Sequence, residues 1–202
     1  MNVFGIVVAA GRGKRFGGPK AAVEVGGRPM WRWAVDALEA GGVDSWTIVG
    51  EIDGGVPGGS RRRDSVAAGL AGAPDAATHV VVHDAARPLA SADLVRRVID
   101  RLRRGDVDGV TPAVPVRDTL KEVDGDVVVR TADRTNLVVV QTPQGFAIDV
   151  LKAAHAADDA EATDDAALVE RFGGSVVVIA GEARNIKVTY PEDLDVVEAL
   201  AQ

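Results

Sequence analysis

Between Val7 and Lys20 the chain reads VVAAGRGKRFGGPK, an apolar run that enters a glycine-rich loop carrying Arg12, Lys14, Arg15 and Lys20. No carboxylate offsets these cations. The first Asp or Glu in the chain is Glu24, although the whole protein is acidic, with Lys+Arg 23 against Asp+Glu 30. Glycines let backbone N–H groups approach an anion, and the start of a following helix favours negative charge. The ligand class that fits is a polyanion such as a nucleoside triphosphate. A dinucleotide fingerprint fits poorly, because Gly11-x-Gly13-x-x-x-Gly17 is one residue too long and the acidic partner would be Asp36, within a helix. A P-loop fails as well, since Gly13-Lys14 is followed by Arg15 and not by a hydroxyl residue.

Other residues that could do chemistry stand at the ends of apolar runs. Asp84 closes THVVVHD, where a carboxylate reaches the ligand crevice of an open α/β sheet. There it could hold a metal or a hydroxyl, or cap the next turn. Lys187 interrupts an apolar C-terminal strand and needs an anionic partner. His83 is expected to be structural, and His79 and His155 have no supporting context.

The elements that must position these residues follow from periodicity. VFGIVVAA reads as a buried strand. RPMWRWAVDALEAGG is a helix with Pro29 near its start and Gly41-Gly42 at its end. SWTIVG is a strand, RDSVAAGLAGA a helix, THVVVHDAARP a strand, and SADLVRRVIDRLRRG a helix capped by Ser91 and stopped at Gly105. This alternation predicts a parallel sheet with helices on both faces. VDGVTPAVPV carries two prolines and is expected at an edge or bent. DTLKEVDGDVVVRT reads as a hairpin around Gly125, and NLVVVQTPQGF as one further strand. Helices are expected at about 147–157 and 163–172, the second capped by Thr163. SVVVIAG is a strand, and a last helix opens on a Thr189-x-x-Glu192 capping box. No linker or repeat divides the chain, so one domain over 1–202 is expected.

Composition excludes several function classes. With no cysteine, there are no disulfides, thiolate zinc sites or cysteine nucleophile. A net charge of −7 argues against a broad nucleic-acid surface. The apolar N-terminal run is too short to span a bilayer, and no cleavable signal pattern follows, so no membrane partner and a cytoplasmic location are expected.

The motifs AAGRGKRFGGPK, VHDAARP, PVRDTLK, QTPQGF, TDDAALVE and NIKVTYPEDL, in that order, resemble those of the 2-C-methyl-D-erythritol 4-phosphate cytidylyltransferases of the non-mevalonate isoprenoid pathway. The resemblance runs from residue 3 to about 195. It implies a Rossmann-like α/β fold of the nucleotide-diphospho-sugar transferase type, with a mostly parallel twisted sheet. It also implies a protruding β-arm at about 117–140 that embraces a second subunit to form a homodimer. The implied reaction joins CTP to a phosphorylated polyol with release of pyrophosphate, using Mg²⁺ or another divalent cation.

On that resemblance, Arg15, Lys20, Arg134 and Lys187 are the catalytic cations, with Arg134 serving the neighbour's site in a dimer. CTP is implied to meet Ala9, Ala10, Gly11, Gly13, Gly59, Ser60, Ser65 and Asp84, and Asp84 also holds the metal. The polyol substrate is implied to meet Arg87, Thr119, Thr142 and Thr163. Arg12 and Lys14 match no such position. Arg61, Arg62 and Arg63 could reach phosphates, but Arg61 and Arg63 are expected to be solvated. The basic loop is shorter than the family's, and Ser60 stands where an acidic residue is frequent. Ribitol 5-phosphate is the alternative acceptor, and a non-catalytic nucleotide sensor is the alternative class.

Overall fold

In a computed structural model, residues 1–11, 13, 16–18, 23–157 and 159–202 are described. The chain runs β1 (Val3–Val8), β2 (Glu24–Val25), β3 (Arg28–Pro29), α1 (Met30–Gly41), β4 (Ser45–Val49), α2 (Arg62–Ala71), β5 (His79–Asp84), α3 (Ala92–Leu102) and β6 (Gly109–Pro115). It continues with β7 (Lys121–Asp124), β8 (Val127–Thr131), β9 (Val138–Val140), β10 (Gln144–Ala147), α4 (Ile148–Ala157), α5 (Asp165–Phe172), β11 (Val176–Ala180) and α6 (Asp193–Ala201).

The main sheet has the order β11-β6-β10-β5-β1-β4. β1 pairs in parallel with β4 and β5, and β11 with β6, whereas β10 runs antiparallel to both its neighbours. Alternation along the central strands serves two cores. Phe4, Ile6, Val80 and Val82 face α2, α4 and α5, packing on Leu70, Leu151 and Leu168. Val3, Val7 and Val81 face α1 and α3, packing on Leu38, Val95 and Ile99. Each such side chain, fully buried, stabilises by roughly 1.5–3 kcal/mol.

Several elements differ from expectation. β6 lies inside the sheet, not at an edge. Its first residues pair with β10 and its last with β9, so Pro112, which has no N–H to give, sits where one partner hands over to the next. The expected 136–146 strand is correspondingly two strands, broken at Gln141–Pro143, where Pro143 cannot continue a ladder. The N-cap of α5 is Asp164, whose side chain accepts from the Ala167 amide, and not Thr163. The start of α6 is closed by Asp193, which accepts from the amides of Thr189 and Tyr190, so Glu192 takes no part in a capping box. Ser91 does cap α3, accepting from Leu94 at 3.0 Å.

β7 and β8 form a separate two-stranded sheet whose residues are all exposed. The small β2–β3 hairpin, unforeseen in the sequence, turns on Gly26 and Gly27, both at positive φ.

Candidate active site

The carboxyl ends of β1 and β5 meet the N-terminus of α2 and the C-terminal segment around Lys187. Just beyond β1, Ala9 and Ala10 are half-buried and Gly11 is exposed. Gly13 has φ +57, and its carbonyl collects the amides of Phe16, Gly17 and Gly18 at 2.8, 2.9 and 3.2 Å. A Cβ on Gly13 would stand 1.8 Å from the Gly18 oxygen. The glycine therefore lets the loop fold back on itself. The cations Arg12, Lys14, Arg15 and Lys20 lie outside the described residues.

The second loop, Gly58–Ser60, leans on the first. A Cβ on Gly58 would meet that of Ala10 at 2.2 Å, and one on Gly59 would meet that of Asp64 at 2.2 Å. Ser65 ties this loop down: its hydroxyl accepts from the Gly59 amide at 3.1 Å and donates to the Arg61 carbonyl at 3.2 Å. The Ser60 hydroxyl donates to Asp64. The Gly59 amide and the Ser65 hydroxyl are thus engaged with the protein itself.

At the end of β5, Asp84 is nearly buried and held on three sides. Arg62 Nε donates to Oδ1 at 3.0 Å, Lys187 Nζ donates to Oδ2 at 2.6 Å, and the Asp84 amide donates to Thr142 Oγ1 at 3.1 Å. Burial opposes the Asp84 charge, but the fields of Arg62 and Lys187 outweigh it and hold the carboxyl below its usual range. Arg62 is likewise opposed by burial, and Asp84 and Asp165 raise its pKa. His83, fully buried, stands 2.9 Å from Thr142 Oγ1 through Nδ1. Burial pushes its imidazole down to about 4, so it is neutral at neutral pH and serves as packing. Arg87 donates to the carbonyls of Asn185 and Val140, and burial lowers its pKa.

These groups surround a cavity of about 150 Å³ lined by Arg62, Asp84, Arg87, Thr142, Thr163 and Lys187, together with Val140, Gln141, Gln144 and Asp164. That volume is below the roughly 300–1,000 Å³ of a whole small-molecule site and suits a group the size of a phosphate. Three cations face two carboxylates. Asp84 is engaged by Arg62 and Lys187, and Asp164 caps α5 while accepting from Gln144 at 2.7 Å. Counting Asp165, which pairs with Arg62, the charges balance at rest, and an anion can enter by taking a cation from its carboxylate.

Of the residues expected from sequence, Asp84, Arg87, Thr142, Thr163 and Lys187 converge here. Thr119 and Arg134 do not. Thr119 is exposed, and the Arg134 guanidinium reaches the carbonyls of Val116, Arg117 and Asp118 at the foot of the arm.

Gln141, Gln144 and Asp164 were missed, and Arg62 was foreseen only as one of three arginines able to reach phosphate. The two glutamines were visible in QTPQ but carry polar chemistry that any loop can use. Arg62 was hidden among three consecutive arginines. The expectation that Arg63 is solvated is corrected, and Arg61, though partly exposed, is ion-paired. Arg63 is 6% exposed and donates to the carbonyls of Ala160 and His155, while Arg61 pairs with Asp64 and Asp159. Their long side chains bridge α2 to the 155–160 stretch, a contact that distance along the chain concealed.

A largely parallel α/β sheet with a glycine loop and a cation-lined cavity at its strand ends is the build of a nucleotidyltransferase. The family model described as 2-C-methyl-D-erythritol 4-phosphate cytidylyltransferase matches residues 3–202. The chain belongs to that family and is a cytidylyltransferase. The enzyme of that name from Nocardia farcinica is 49% identical over 218 residues, covering 98% of this chain and 94% of the relative. That from Rhodococcus jostii is 45% identical, covering 99% and 95%. The crystal structure of the Thermus thermophilus enzyme of that name aligns with TM-score 0.84 and 36% identity over 97% of each chain. Among the described residues no helix is long and apolar enough to cross a membrane.

Proposed function

We propose that this chain transfers CMP from CTP to 2-C-methyl-D-erythritol 4-phosphate, giving 4-diphosphocytidyl-2-C-methyl-D-erythritol and pyrophosphate. The single observation that carries the site's part in this is the Asp84–Lys187 pair in a cavity lined by three cations at the end of β5. A phosphate oxygen of the acceptor attacks the α-phosphorus of CTP, a P–O bond forms, and the bond to the pyrophosphate oxygen breaks with its electrons leaving on pyrophosphate. No covalent enzyme intermediate is needed, so positioning and charge stabilisation are the protein's task.

Lys187 and Arg87 bring the acceptor phosphate against CTP and offset the repulsion between two anions. Thr142 holds the backbone that carries Asp84, and Thr163 lines the cavity beside Asp164, the cap of α5. Arg15 and Lys20 stabilise charge on the transferring group from the glycine loop. Ala9, Ala10, Gly11 and Gly13 form the shelf for CTP, and the Gly59–Ser60 backbone, held by Ser65, faces the base.

Asp84 is the carboxylate that would hold magnesium. Among the described residues no group of three His, Asp or Glu side chains is placed to hold a metal ion. One carboxylate nevertheless suits an ion that arrives on a triphosphate, since Mg²⁺ is commonly bound by one or two carboxylates plus substrate phosphates. Bound there, magnesium would neutralise the triphosphate. Asp84 keeps unused lone pairs beside its bonds to Arg62 and Lys187, which supports the fit.

The exposed β-arm supports a homodimer. Val123, Val127, Val128, Val129 and Leu137–Val140 are between 39% and 68% exposed, an apolar surface that a second subunit would cover. Arg134 at the arm's foot and the exposed Thr119 would then serve the partner's site. We read residues 1–202 as one nucleotidyltransferase domain with this arm inserted at about 117–140, working in the cytoplasm.

The test is pyrophosphate release with Mg²⁺, each of four nucleoside triphosphates, and either methylerythritol phosphate or ribitol 5-phosphate. Release with CTP and methylerythritol phosphate is expected, with ATP and GTP near background. Turnover with ribitol phosphate alone would overturn the acceptor, and tight CTP binding without turnover would mark a sensor.

A further inference from the structure

Arg62 touches no reacting group in the mechanism above, yet its guanidinium spans two carboxylates. Nε donates to Asp84 Oδ1 at 3.0 Å and Nη1 donates to Asp165 Oδ2 at 2.8 Å. Asp165 is completely buried in the first turn of α5, and His155 Nε2 stands 3.5 Å from its other oxygen. Lys187 completes the row on the far side of Asp84. Lys187, Asp84, Arg62 and Asp165 thus alternate in sign and sum to zero.

In the resting arrangement Lys187 is bound to a carboxylate, not free for phosphate. A buried carboxylate with one cationic partner cannot give it up without becoming an uncompensated charge. A carboxylate with two can release one. Lys187 is 39% exposed at its side chain against 21% for Arg62, so the lysine is the partner placed to leave.

We propose that Arg62 is a positioning residue of the transfer reaction: it holds Asp84 from the side opposite Lys187, so that Lys187 can exchange the carboxylate for an incoming phosphate. This rests on the reaction proposed above. Because Arg62 opens α2, whose preceding loop faces the base, and reaches α5, it also fixes two walls of the site to one carboxylate. Arg61 and Arg63 provide the contrast. They reach the 155–160 stretch through Asp159 and through backbone carbonyls, with no bond to Asp84.

The experiment is a double-mutant cycle of Arg62→Gln with Lys187→Gln, and a second of Arg63→Gln with Lys187→Gln. Each is read twice, as kcat for CTP with methylerythritol phosphate and as calorimetric affinity for methylerythritol phosphate alone. Arg62→Gln and Lys187→Gln should each lower kcat by roughly 10²-fold and weaken methylerythritol phosphate binding several-fold. Together they should be no more than about threefold worse than Lys187→Gln alone, because the arginine acts through the lysine. The losses from Arg63→Gln and Lys187→Gln should instead multiply, with a lower melting temperature. Arg62→Lys keeps a charge beside Asp84 and should recover part of kcat; it replaces the Gln variant in the cycle if that variant does not fold. Multiplying losses for Arg62 and Lys187, or full activity of Arg62→Gln, would overturn the proposal. Should wild type show no turnover, the reaction falls and the calorimetric cycle alone decides the role of Arg62.

Discussion

The hydroxyl of Thr142 shows how one atom can fix a site. It accepts from the Asp84 amide and shares a hydrogen with His83 Nδ1, in a place that is 5% exposed. Thr142→Val should orphan a buried N–H, at a cost of about 1–3 kcal/mol, and lower kcat along with the melting temperature. Thr142→Ser should keep most of both, and equal losses in the two variants would show that the methyl group, not the hydroxyl, matters. His83 adds a pH dependence to the stability of the metal-free protein. Burial lowers its pKa first; Asp84 raises it and Arg87 lowers it by smaller amounts, leaving it at about 4 against about 6.5 for a free histidine. Between these values the unfolded chain binds more protons, so this contribution is fully present above about pH 6.5 and is lost as pH falls toward 4. Denaturant midpoints in EDTA should drop more steeply from pH 6.5 to 4.5 for wild type than for His83→Gln. Parallel curves would contradict a neutral buried imidazole.

At the scale of elements, the site depends on two loops that touch. Gly58→Ala would drive its methyl into Ala10, 2.2 Å away, and should raise KM for CTP by about tenfold while costing roughly 1–3 kcal/mol. Gly13→Ala, at φ +57 and facing a backbone oxygen, should be worse. Gly11→Ala meets nothing within 4 Å and should leave the melting temperature unchanged, a contrast that thermal unfolding checks directly. Helices and central strands were legible because local period and caps decide them, as with Ser91 and Gly42. Where two neighbouring residues can do one task, sequence chose wrongly: Asp164 caps in place of Thr163, and Asp193 in place of Glu192. The interior place of β6 was hidden because tolerance of Pro112 depends on a break in a different strand. For the site, Asp84 stood out as a charge at the end of an apolar run, and Lys187 as one interrupting an expected strand, although residues 185–189 form no strand. Arg62 did not stand out, since its partner Asp165 lies 103 residues away.

Across the whole molecule, the exposed valines of the arm are the feature that a monomer does not explain. Val127 and Val129 lie on one face of β8, by the two-residue period of a strand. Val127→Glu with Val129→Glu should convert a dimer to monomer in sedimentation velocity and lower activity at least tenfold, if Arg134 completes the partner's site. Mixing Arg134→Ala with Lys20→Ala subunits should restore part of the activity lost in each, and no recovery would place Arg134 in its own subunit's site. The cation-lined cavity in an acidic protein then reads as charge set aside for phosphates. A crystal structure with methylerythritol phosphate tests that most directly. Its phosphate is predicted against Lys187 and Arg87, with the 2.6 Å bond between Lys187 and Asp84 given up. An acceptor phosphate bound elsewhere while that bond stays closed would contradict it.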